Sequence, residues 1–269
     1  MSARGDEALV AEMRQAYAGA AWQWATGPAA LYRRLATALV ASAHVELQGR
    51  RVMDLGAGTG AASEALIEVG AEPVGVDLAV QMLAHRRTAR PPGVAADAQR
   101  LPFREGAFDA VIAAFSLNHV PDLTGALAGC RRVLANGGGV LASTFPSDEE
   151  HPAKPVVEAV LEQYGYRRPG WYATFKDRLA GLTGDPASFA RAASDAGLHD
   201  VRVERIEVEA GLDDPGLAVA WRLNMPHTLD FVASLAPARR SELRDRATAA
   251  LAGRSPSAVT MLQLGATRP

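Results

Sequence analysis

A glycine-rich turn between an apolar segment and a helix-forming segment constrains this chain more than any other feature. Residues 51–60 read RVMDLGAGTG, and the helix-forming sequence AASEAL follows directly at residues 61–66. Glycine adopts the backbone angles of a tight turn without strain, and because it lacks a Cβ it lets a ligand approach the main chain closely. The pattern predicts the first strand, turn and helix of an open α/β sheet, with a ligand bound over the turn.

Acidic residues recur near the ends of three successive predicted strands. Asp54 lies two residues before the turn, Asp77 ends the second strand, and Asp97 ends the third. Parallel strands end at one edge of a sheet, so the three carboxylates are expected to meet around the turn. A single acid in such a place is usually a turn or capping residue, but three in register indicate a ligand site. An acid at the position of Asp77 is suited to the two ribose hydroxyls of a nucleoside.

The order of these segments, completed by a continuous apolar run at 108–115 that predicts a buried fourth strand, resembles the class I methyltransferases that use S-adenosylmethionine. The resemblance is to their small-molecule group, which includes the ubiquinone and menaquinone biosynthesis enzymes, and it covers roughly residues 45–145. It implies an α/β fold with a Rossmann-like, seven-stranded and mostly parallel sheet, whose last strand is antiparallel. Helices on both faces and a helical cap complete that fold. S-adenosylmethionine is the implied cofactor and S-adenosylhomocysteine its product.

The same resemblance implies which residues hold the cofactor. The glycine turn cradles the amino-acid part, with Asp54 binding its amino group, and Asp77 takes the ribose hydroxyls. Asp97 and the Ala98 amide contact the adenine edge, while Phe115 lies near the methionine chain. An aromatic residue of an N-terminal helix, Trp24 or Tyr17, closes over the cofactor. The predicted cofactor-binding set is Asp54, Gly56, Ala57, Gly58, Gly60, Asp77, Leu78, Met82, Asp97, Ala98, Phe115 and Trp24.

The spacing of the glycines separates this cofactor from a nicotinamide or flavin dinucleotide. Dinucleotide turns favour G-x-G-x-x-G, because a pyrophosphate must sit on the helix N-terminus. Here the spacing is G-x-G-x-G, and Asp54 precedes the first glycine by two residues. A carboxylate repels a pyrophosphate and attracts an ammonium group, so the charge favours S-adenosylmethionine.

Composition limits the partners and the compartment. The net charge of −2 provides no basic field for a polyanion, so no nucleic-acid partner is expected. The one cysteine, Cys130, excludes an intrachain disulfide and suits a reducing compartment. No stretch approaches membrane-spanning length, which predicts a cytoplasmic protein without a membrane partner. No residues have the spacing of metal ligands, so no metal is expected, and the sequence leaves the oligomeric state open.

The chain divides into three predicted parts. Residues 1–45 form an N-terminal helical segment, residues 46–145 the cofactor-binding Rossmann-like core, and residues 146–269 the remainder of the sheet with cap insertions. Those insertions are placed at about 146–184 and 211–255. Five aromatic residues fall within one twelve-residue stretch of the first insertion: Tyr164, Tyr166, Trp171, Tyr172 and Phe175. They predict an apolar acceptor pocket under the cap, or simply a core that attaches the insertion to the sheet.

Methyl transfer from a sulfonium needs alignment and a dry site more than a base. If a base is used, the candidates are His119, which follows the fourth strand, and His227, which lies in the second insertion. An unperturbed histidine pKa near 6.5 allows either to accept a proton at neutral pH. The competing interpretation makes His119 a structural or cofactor-orienting residue.

The sequence therefore predicts a methyltransferase that transfers a methyl group to O, C or N of a small, largely apolar acceptor in secondary or quinone-type metabolism. One alternative is a tRNA or protein methyltransferase, which a salt-dependent affinity for RNA would favour. Another is an enzyme of the same fold that binds the cofactor but catalyses a cyclisation without methyl transfer. A dinucleotide-binding protein is the third, disfavoured by the glycine spacing.

Overall fold

The computed structural model of the chain describes residues 3–85 and 87–269. Within these residues one sheet contains the strands β1 Arg51–Leu55, β2 Glu72–Asp77, β3 Gly93–Ala95, β4 Phe108–Ala114, β5 Leu134–Thr144, β6 His199–Glu209 and β7 Ala258–Thr267. Their order is β3-β2-β1-β4-β5-β7-β6. All neighbours pair in parallel except β7, which is antiparallel to both β5 and β6. The predicted Rossmann-like fold class, with an antiparallel last strand, is confirmed.

Helices cover both faces of this sheet and its carboxyl edge. The N-terminal helices are α1 Ala3–Thr26 and α2 Pro28–Ala41. Those between the strands of the parallel part are α3 Ala61–Glu68, α4 Val80–Ala84 and α5 Leu123–Val133. Between β5 and β6 lie α6 Ala153–Gln163, α7 Gly170–Arg178, α8 Ala180–Gly184 and α9 Pro186–Asp195. Between β6 and β7 lie α10 Pro215–Leu223, α11 Pro226–Ser234 and α12 Pro237–Leu251.

Local sequence explains where several of these elements begin. The side chain of Asp122 caps α5 by accepting a hydrogen bond from the Gly125 backbone N–H at 2.8 Å. Proline occupies the first turn of α2, α9, α10, α11 and α12, where its missing N–H breaks no helical hydrogen bond. Strand β4 is almost continuously apolar because both of its faces are covered, whereas β6 alternates apolar and charged residues and forms a sheet edge.

The core has two layers, one on each face of the sheet. Side chains alternate across a strand, so Ile112 packs with α2, α6 and α10 on one face, and Val111 packs with α5 and α9 on the other. A third, smaller apolar cluster joins Leu9 and Met13 of α1 to Phe175 of α7 and to Leu179. This cluster holds α1 and α7 together beside the carboxyl edge of the sheet, where the candidate site lies.

No helix in the described part of the chain has both the length and the hydropathy needed to cross a membrane. The division into three domains remains a prediction.

Candidate active site

A cavity of about 580 Å³ opens at the carboxyl ends of β1, β2, β4 and β5, under helices α1, α7, α10 and α11. The strand order reverses between β1 and β4, and open α/β sheets bind ligands at such a switch point. The predicted residues that line the cavity are Trp24, Asp54, Gly56, Ala57, Gly58, Asp77, Leu78, Met82, Asp97, Ala98, Phe115, His119 and His227. Of the predicted cofactor-binding residues, Gly60 alone does not line the cavity as the described residues form it.

The first glycine of the turn is required by two independent constraints. Gly56 has a φ of 74°, in the left-handed region that residues with a Cβ rarely adopt. A Cβ at this position would lie 2.2 Å from the Cβ of Ser116. Ser116 is held there because its hydroxyl donates a 2.6 Å hydrogen bond to the Leu55 carbonyl. The turn after β1 and the turn after β4 therefore pack against each other, and only glycine fits at the contact.

Gly60 supports the turn from behind. It is the residue before α3, with a φ of 106°, and a Cβ there would lie 2.9 Å from Nε of Arg90. The Arg90 guanidinium donates to the carbonyls of Gly58 and Met82, each at 2.9 Å. Sequence analysis missed Arg90, and no pattern around it signals that it ties the glycine turn to α4. The structure thus gives Gly60 a contact with Arg90 and none with the cavity.

Asp54 is buried at the foot of the turn, 1% exposed. The Ser63 hydroxyl donates a hydrogen bond of 2.5 Å to its Oδ2. Burial raises the pKa of Asp54 to about 6, while the Ser63 hydrogen bond and the charge of Arg90 oppose that rise. The carboxylate is therefore incompletely compensated by the protein, and a positively charged ligand group would stabilise its ionised form.

Asp77 accepts hydrogen bonds through both carboxylate oxygens. The Gly58 backbone N–H donates to Oδ2 and the Ala79 N–H donates to Oδ1, each at 2.8 Å. Burial raises the pKa of Asp77, and these two hydrogen bonds act against the rise. A carboxylate has about four acceptor positions, so two backbone donors leave room for two ligand hydroxyls. Asp77 therefore orders the glycine turn and keeps acceptor capacity toward the cavity.

Asp97 and Phe115 complete the strand ends. Oδ1 of Asp97 accepts a 2.9 Å hydrogen bond from the Gln99 backbone N–H, which closes the turn after β3. Phe115 has a φ of 55°, a strained conformation for a residue with a side chain, and such residues concentrate at functional sites. Its ring lies 4.6 Å from that of Phe145 and 5.2 Å from that of Tyr32. We call Asp54, Asp77 and Asp97 the acidic side of the cavity.

Aromatic residues of α1 and α2 cover the cavity. Trp24 stacks on Tyr32 with 4.9 Å between ring centroids, and lies 5.7 Å from Tyr17. The Tyr17 hydroxyl is 2.9 Å from Nε2 of His119. The predicted N-terminal aromatic residues therefore lie over the switch point, beside the residues that follow β4.

His119 is enclosed by aromatic rings. It stacks on Phe175 at 4.9 Å and meets Tyr17 edge-on at 5.3 Å. Burial lowers the pKa of His119 to about 4, which the Ser116 backbone carbonyl only partly offsets. His119 is therefore neutral at pH 7, with Nε2 engaged by Tyr17, and it is a weak base.

His227 lies on the far side of the cavity. Its ring stacks on Tyr172 with 3.7 Å between centroids, and Nη2 of Arg222 lies 3.4 Å from its Nε2. Burial, helped by the nearby charge of Arg222, lowers the pKa of His227 well below its usual value. The ring is therefore neutral, and its role in catalysis remains a prediction.

Two basic residues that sequence analysis did not single out line the same cavity, and we call Lys154 and Arg222 its basic side. Nζ of Lys154 lies 4.4 Å from the centroid of the Phe145 ring. Cζ of Arg222 lies 5.2 Å from the Trp221 ring. Burial, followed by the charge of Arg222, lowers the pKa of Lys154 to about 7. Nothing in the local sequence distinguishes these two residues from solvated surface cations.

No group of three or more His, Cys, Asp or Glu side chains that could hold a metal ion occurs within residues 3–85 and 87–269. Cys130 is buried in the layer that contains α5, and burial raises its pKa to about 12. The thiol is therefore protonated at neutral pH.

Residues 53–142 match the protein-family model described as a methyltransferase domain. The demethylmenaquinone methyltransferase of Mycolicibacterium paratuberculosis is 38% identical over 116 residues, which are 43% of this chain and 49% of that enzyme. The match thus spans about half the length of the curated relatives, and it falls on the segment that forms the acidic side of the cavity.

Solved structures resemble a larger part of the chain. Phosphoethanolamine N-methyltransferase 2 of Haemonchus contortus, solved with S-adenosyl-L-methionine, has a TM-score of 0.58 at 20% identity over 87% of this chain and 52% of that one. The [4+2]-cyclase SpnF has a TM-score of 0.53 at 20% identity over 88% of this chain and 81% of that one. At such identities the likeness is one of fold. Over residues 53–142 the chain is thus similar to methyltransferase domains, and its sequence resembles the demethylmenaquinone methyltransferases. The strand order and the solved neighbours show that it shares the fold of class I methyltransferases.

Proposed function

We propose that the protein binds S-adenosylmethionine over the glycine turn and transfers its methyl group to O, C or N of a small, largely apolar acceptor. The observation that carries the proposal is the cavity itself. It brings the three strand-end carboxylates of a methyltransferase domain against a wall of aromatic side chains, at the switch point of the sheet. The first curated matches are all named demethylmenaquinone methyltransferases, and these names favour a quinone-type acceptor.

The residues of the acidic side suit the cofactor. Asp54 is buried without full compensation of its charge, which fits the ammonium group of the amino-acid part. Asp77 keeps acceptor capacity for the ribose hydroxyls, and Leu78 and Met82 supply apolar surface for adenine. Asp97 with the Ala98 amide is assigned to the adenine edge. Gly60 is assigned to the support of the turn.

The cofactor, when bound, supplies a methyl group that its sulfonium already activates, so the protein has to align the acceptor and exclude water. Trp24 and Tyr17 lie over the switch point and would exclude water from above. Phe115 would border the methionine chain. His119 is neutral and hydrogen-bonded to the Tyr17 hydroxyl. This arrangement suits a residue that positions Tyr17 and the cofactor better than it suits a general base.

The first experiment is a calorimetric titration of the purified protein with S-adenosylmethionine, S-adenosylhomocysteine and NADH. We expect micromolar binding of both sulfur nucleosides and none of NADH. Binding of NADH without a response to the sulfur nucleosides would overturn the assignment of all three carboxylates. It would favour an oxidoreductase instead.

Methyl transfer is tested separately from binding. Candidate phenols and quinols are incubated with S-adenosylmethionine, and formation of S-adenosylhomocysteine is compared with formation of methylated product. Equal amounts of the two support methyl transfer. Conversion of an acceptor while S-adenosylmethionine is bound but not consumed would contradict it and favour a cyclisation or other rearrangement. The cytoplasmic location and the lack of a nucleic-acid partner remain predictions.

A further inference from the structure

We propose that the acceptor carries an oxyanion, a carboxylate or a phosphate, which binds between Arg222 and Lys154 on the basic side of the cavity. This inference rests on the proposed function, because it places the acceptor in the cavity assigned to methyl transfer. It extends that function by assigning the acceptor a charge and a point of attachment.

Arg222 is a buried guanidinium without a counter-ion among the residues that the structure describes. It is 6% exposed, although it lines the cavity. In the described ranges, the ion pairs within 4.0 Å do not include Arg222. Its side chain has one hydrogen bond there, 3.4 Å long, to the neutral ring of His227. A buried charge is normally paired, so this arrangement leaves most of the guanidinium fork available to a ligand.

Lys154 brings a second positive charge to the same place. Its Nζ lies 5.9 Å from the centroid of the Trp221 ring, and Cζ of Arg222 lies 5.2 Å from that centroid. The ion pairs of the described residues do not include Lys154 either. Two cations that share one aromatic ring repel each other unless an anion lies between them. The pair is therefore a preformed site for negative charge.

The two acids whose charges act on Lys154, Glu149 and Glu150, form no ion pair with it among the described residues. Glu149 lies 3.6 Å from Arg205, and its Oε1 accepts a 2.5 Å hydrogen bond from the Thr260 hydroxyl. Glu150 also lines the cavity but is exposed to solvent. Both carboxylates raise the pKa of Lys154, yet less than burial and the Arg222 charge lower it. An oxyanion from the ligand is thus the missing partner.

The position of the basic side defines the shape of the acceptor. Nζ of Lys154 lies over the Phe145 ring. The centroid of that ring is 4.6 Å from that of Phe115 at the switch point and 6.1 Å from that of Trp221. An acceptor bound along these rings would have an apolar, flat body with its oxyanion at one end and the methyl-accepting atom near Phe115. Arginine grips carboxylate or phosphate with two parallel hydrogen bonds, which would orient that body. A protonated amine would be repelled from the same place.

The test uses three probes of one shape: 2-naphthoate, 2-naphthyl phosphate and the neutral 2-naphthamide. Each is titrated into the protein saturated with S-adenosylhomocysteine, with tryptophan fluorescence and calorimetry as readouts. We expect the carboxylate or the phosphate to bind at least about tenfold more tightly than the amide, the scale of hydrogen bonds to a charged group. The stronger of the two distinguishes a carboxylate subsite from a phosphate subsite. Equal binding of all three probes, or no binding of either anion at its solubility limit, would overturn the proposal.

Substitutions locate the preference. In Arg222→Met the preference for the anion should disappear, and in Lys154→Met it should shrink. Arg239→Met is the matched control, because its guanidinium also lies over an aromatic ring, 4.6 Å from Tyr164, but does not line the cavity. Arg222→Lys retains the charge and loses the fork, so it should retain part of the preference. This variant keeps the test valid if Arg222→Met does not fold.

Titration of S-adenosylhomocysteine alone separates this inference from the proposed function. Normal binding of S-adenosylhomocysteine without any preference for the anionic probes would overturn the oxyanion site and leave the cofactor site standing. A preference for the anionic probes without any binding of S-adenosylhomocysteine would overturn the cofactor site and leave the oxyanion site standing.

Discussion

The two sides of the cavity are built in opposite ways. On the acidic side, Asp54, Asp77 and Asp97 lie at or just after the carboxyl ends of three neighbouring strands, and each accepts hydrogen bonding from the protein. On the basic side, Lys154 and Arg222 come from helices α6 and α10, on either side of β6 in the chain, and lie against aromatic rings without a carboxylate partner among the described residues. The acidic side is thus ordered before a ligand arrives, whereas the basic side has charge that its own surroundings do not neutralise.

The difference follows from the elements that hold each side in place. On the acidic side the donors are close by: the Ser63 hydroxyl donates to Asp54, and backbone N–H groups of the strand-end turns donate to Asp77 and Asp97. The basic side depends instead on how the insertions that contain α6, α10 and α11 pack over the sheet. The family match over residues 53–142 covers the acidic side and excludes both cations.

The largest effect is expected from Gly56→Ala, which breaks the acidic side at its tightest point. The new Cβ would lie 2.2 Å from that of Ser116 in a left-handed conformation, so the free energy of unfolding should fall by roughly 2–5 kcal/mol. Binding of S-adenosylmethionine, measured by calorimetry, should be lost. Gly49→Ala is the control, since Gly49 has a φ of 68° and no neighbour within 4 Å of its Cβ position. It should lose only about 1–2 kcal/mol and retain binding; equal effects would show that packing on Ser116 is unimportant.

Asp77→Ala should weaken binding of S-adenosylmethionine by about 1.5–3 kcal/mol, the scale of hydrogen bonds to a charged group. The loss has two sources, the ribose contacts and the N–H of Gly58, which would be left without its acceptor. Asp195→Ala, in an exposed position at the end of α9, controls for the change of net charge. Unchanged affinity in Asp77→Ala would mean that this carboxylate does not hold the ribose.

His119→Ala tests whether His119 positions the cofactor or acts as a general base. Because the pKa of His119 is lowered to about 4 and Nε2 is bonded to Tyr17, we expect turnover and cofactor affinity to fall together, each by about tenfold. Tyr17→Phe should reproduce much of this loss if the hydrogen bond is what matters. A fall in turnover of a hundredfold or more with unchanged cofactor affinity would instead assign His119 the role of a general base, whose contribution is about 10²–10⁴.

The smallest effect is expected from Lys154→Met, which should increase the free energy of unfolding where Gly56→Ala decreases it. The pKa of Lys154 is lowered to about 7, so below pH 7 the folded protein contains a charge that the unfolded chain hydrates better. Methionine keeps the apolar stem, and it should raise the free energy of unfolding by about 1 kcal/mol at pH 6. The wild type should gain stability as pH rises from 7 toward the normal lysine pKa of about 10.4, and the variant should not.

Lys176→Met provides the control for that measurement, because Lys176 also lines the cavity but is exposed on α7. Its stability should change by less than about 0.5 kcal/mol. Denaturant unfolding at pH 6 and pH 9 measures both variants. Destabilisation by Lys154→Met at pH 6 would mean that the basic side is compensated within the protein after all.

The fold and the acidic side were accessible from sequence because their signals are short-range. The spacing of Gly56, Gly58 and Gly60, and acids placed at three strand ends about twenty residues apart, report on a turn and on one sheet edge, which backbone geometry brings together. The alternation of apolar and charged residues along β6 is a short-range signal of the same kind. Even here the assignment was incomplete. Gly60 proved to face Arg90 and not the cavity, and the packing of Ser116 on Gly56 had no signature in either segment.

The amino-acid sequence by itself indicated the first strand, turn and helix, the cofactor class that this turn favours and the strand-end place of the carboxylates, because spacing acts between near neighbours in the chain. The seven-stranded topology was implied by the resemblance that these motifs carry. Only the tertiary structure decided that Tyr32, Phe145, Trp221, Lys154 and Arg222 meet at one end of one cavity. They belong to four separate segments of the chain, and each looks ordinary in its own segment. Helix packing over the sheet edge brings them together, and it shields two cations from water that form no ion pair with an acid in the described part of the chain.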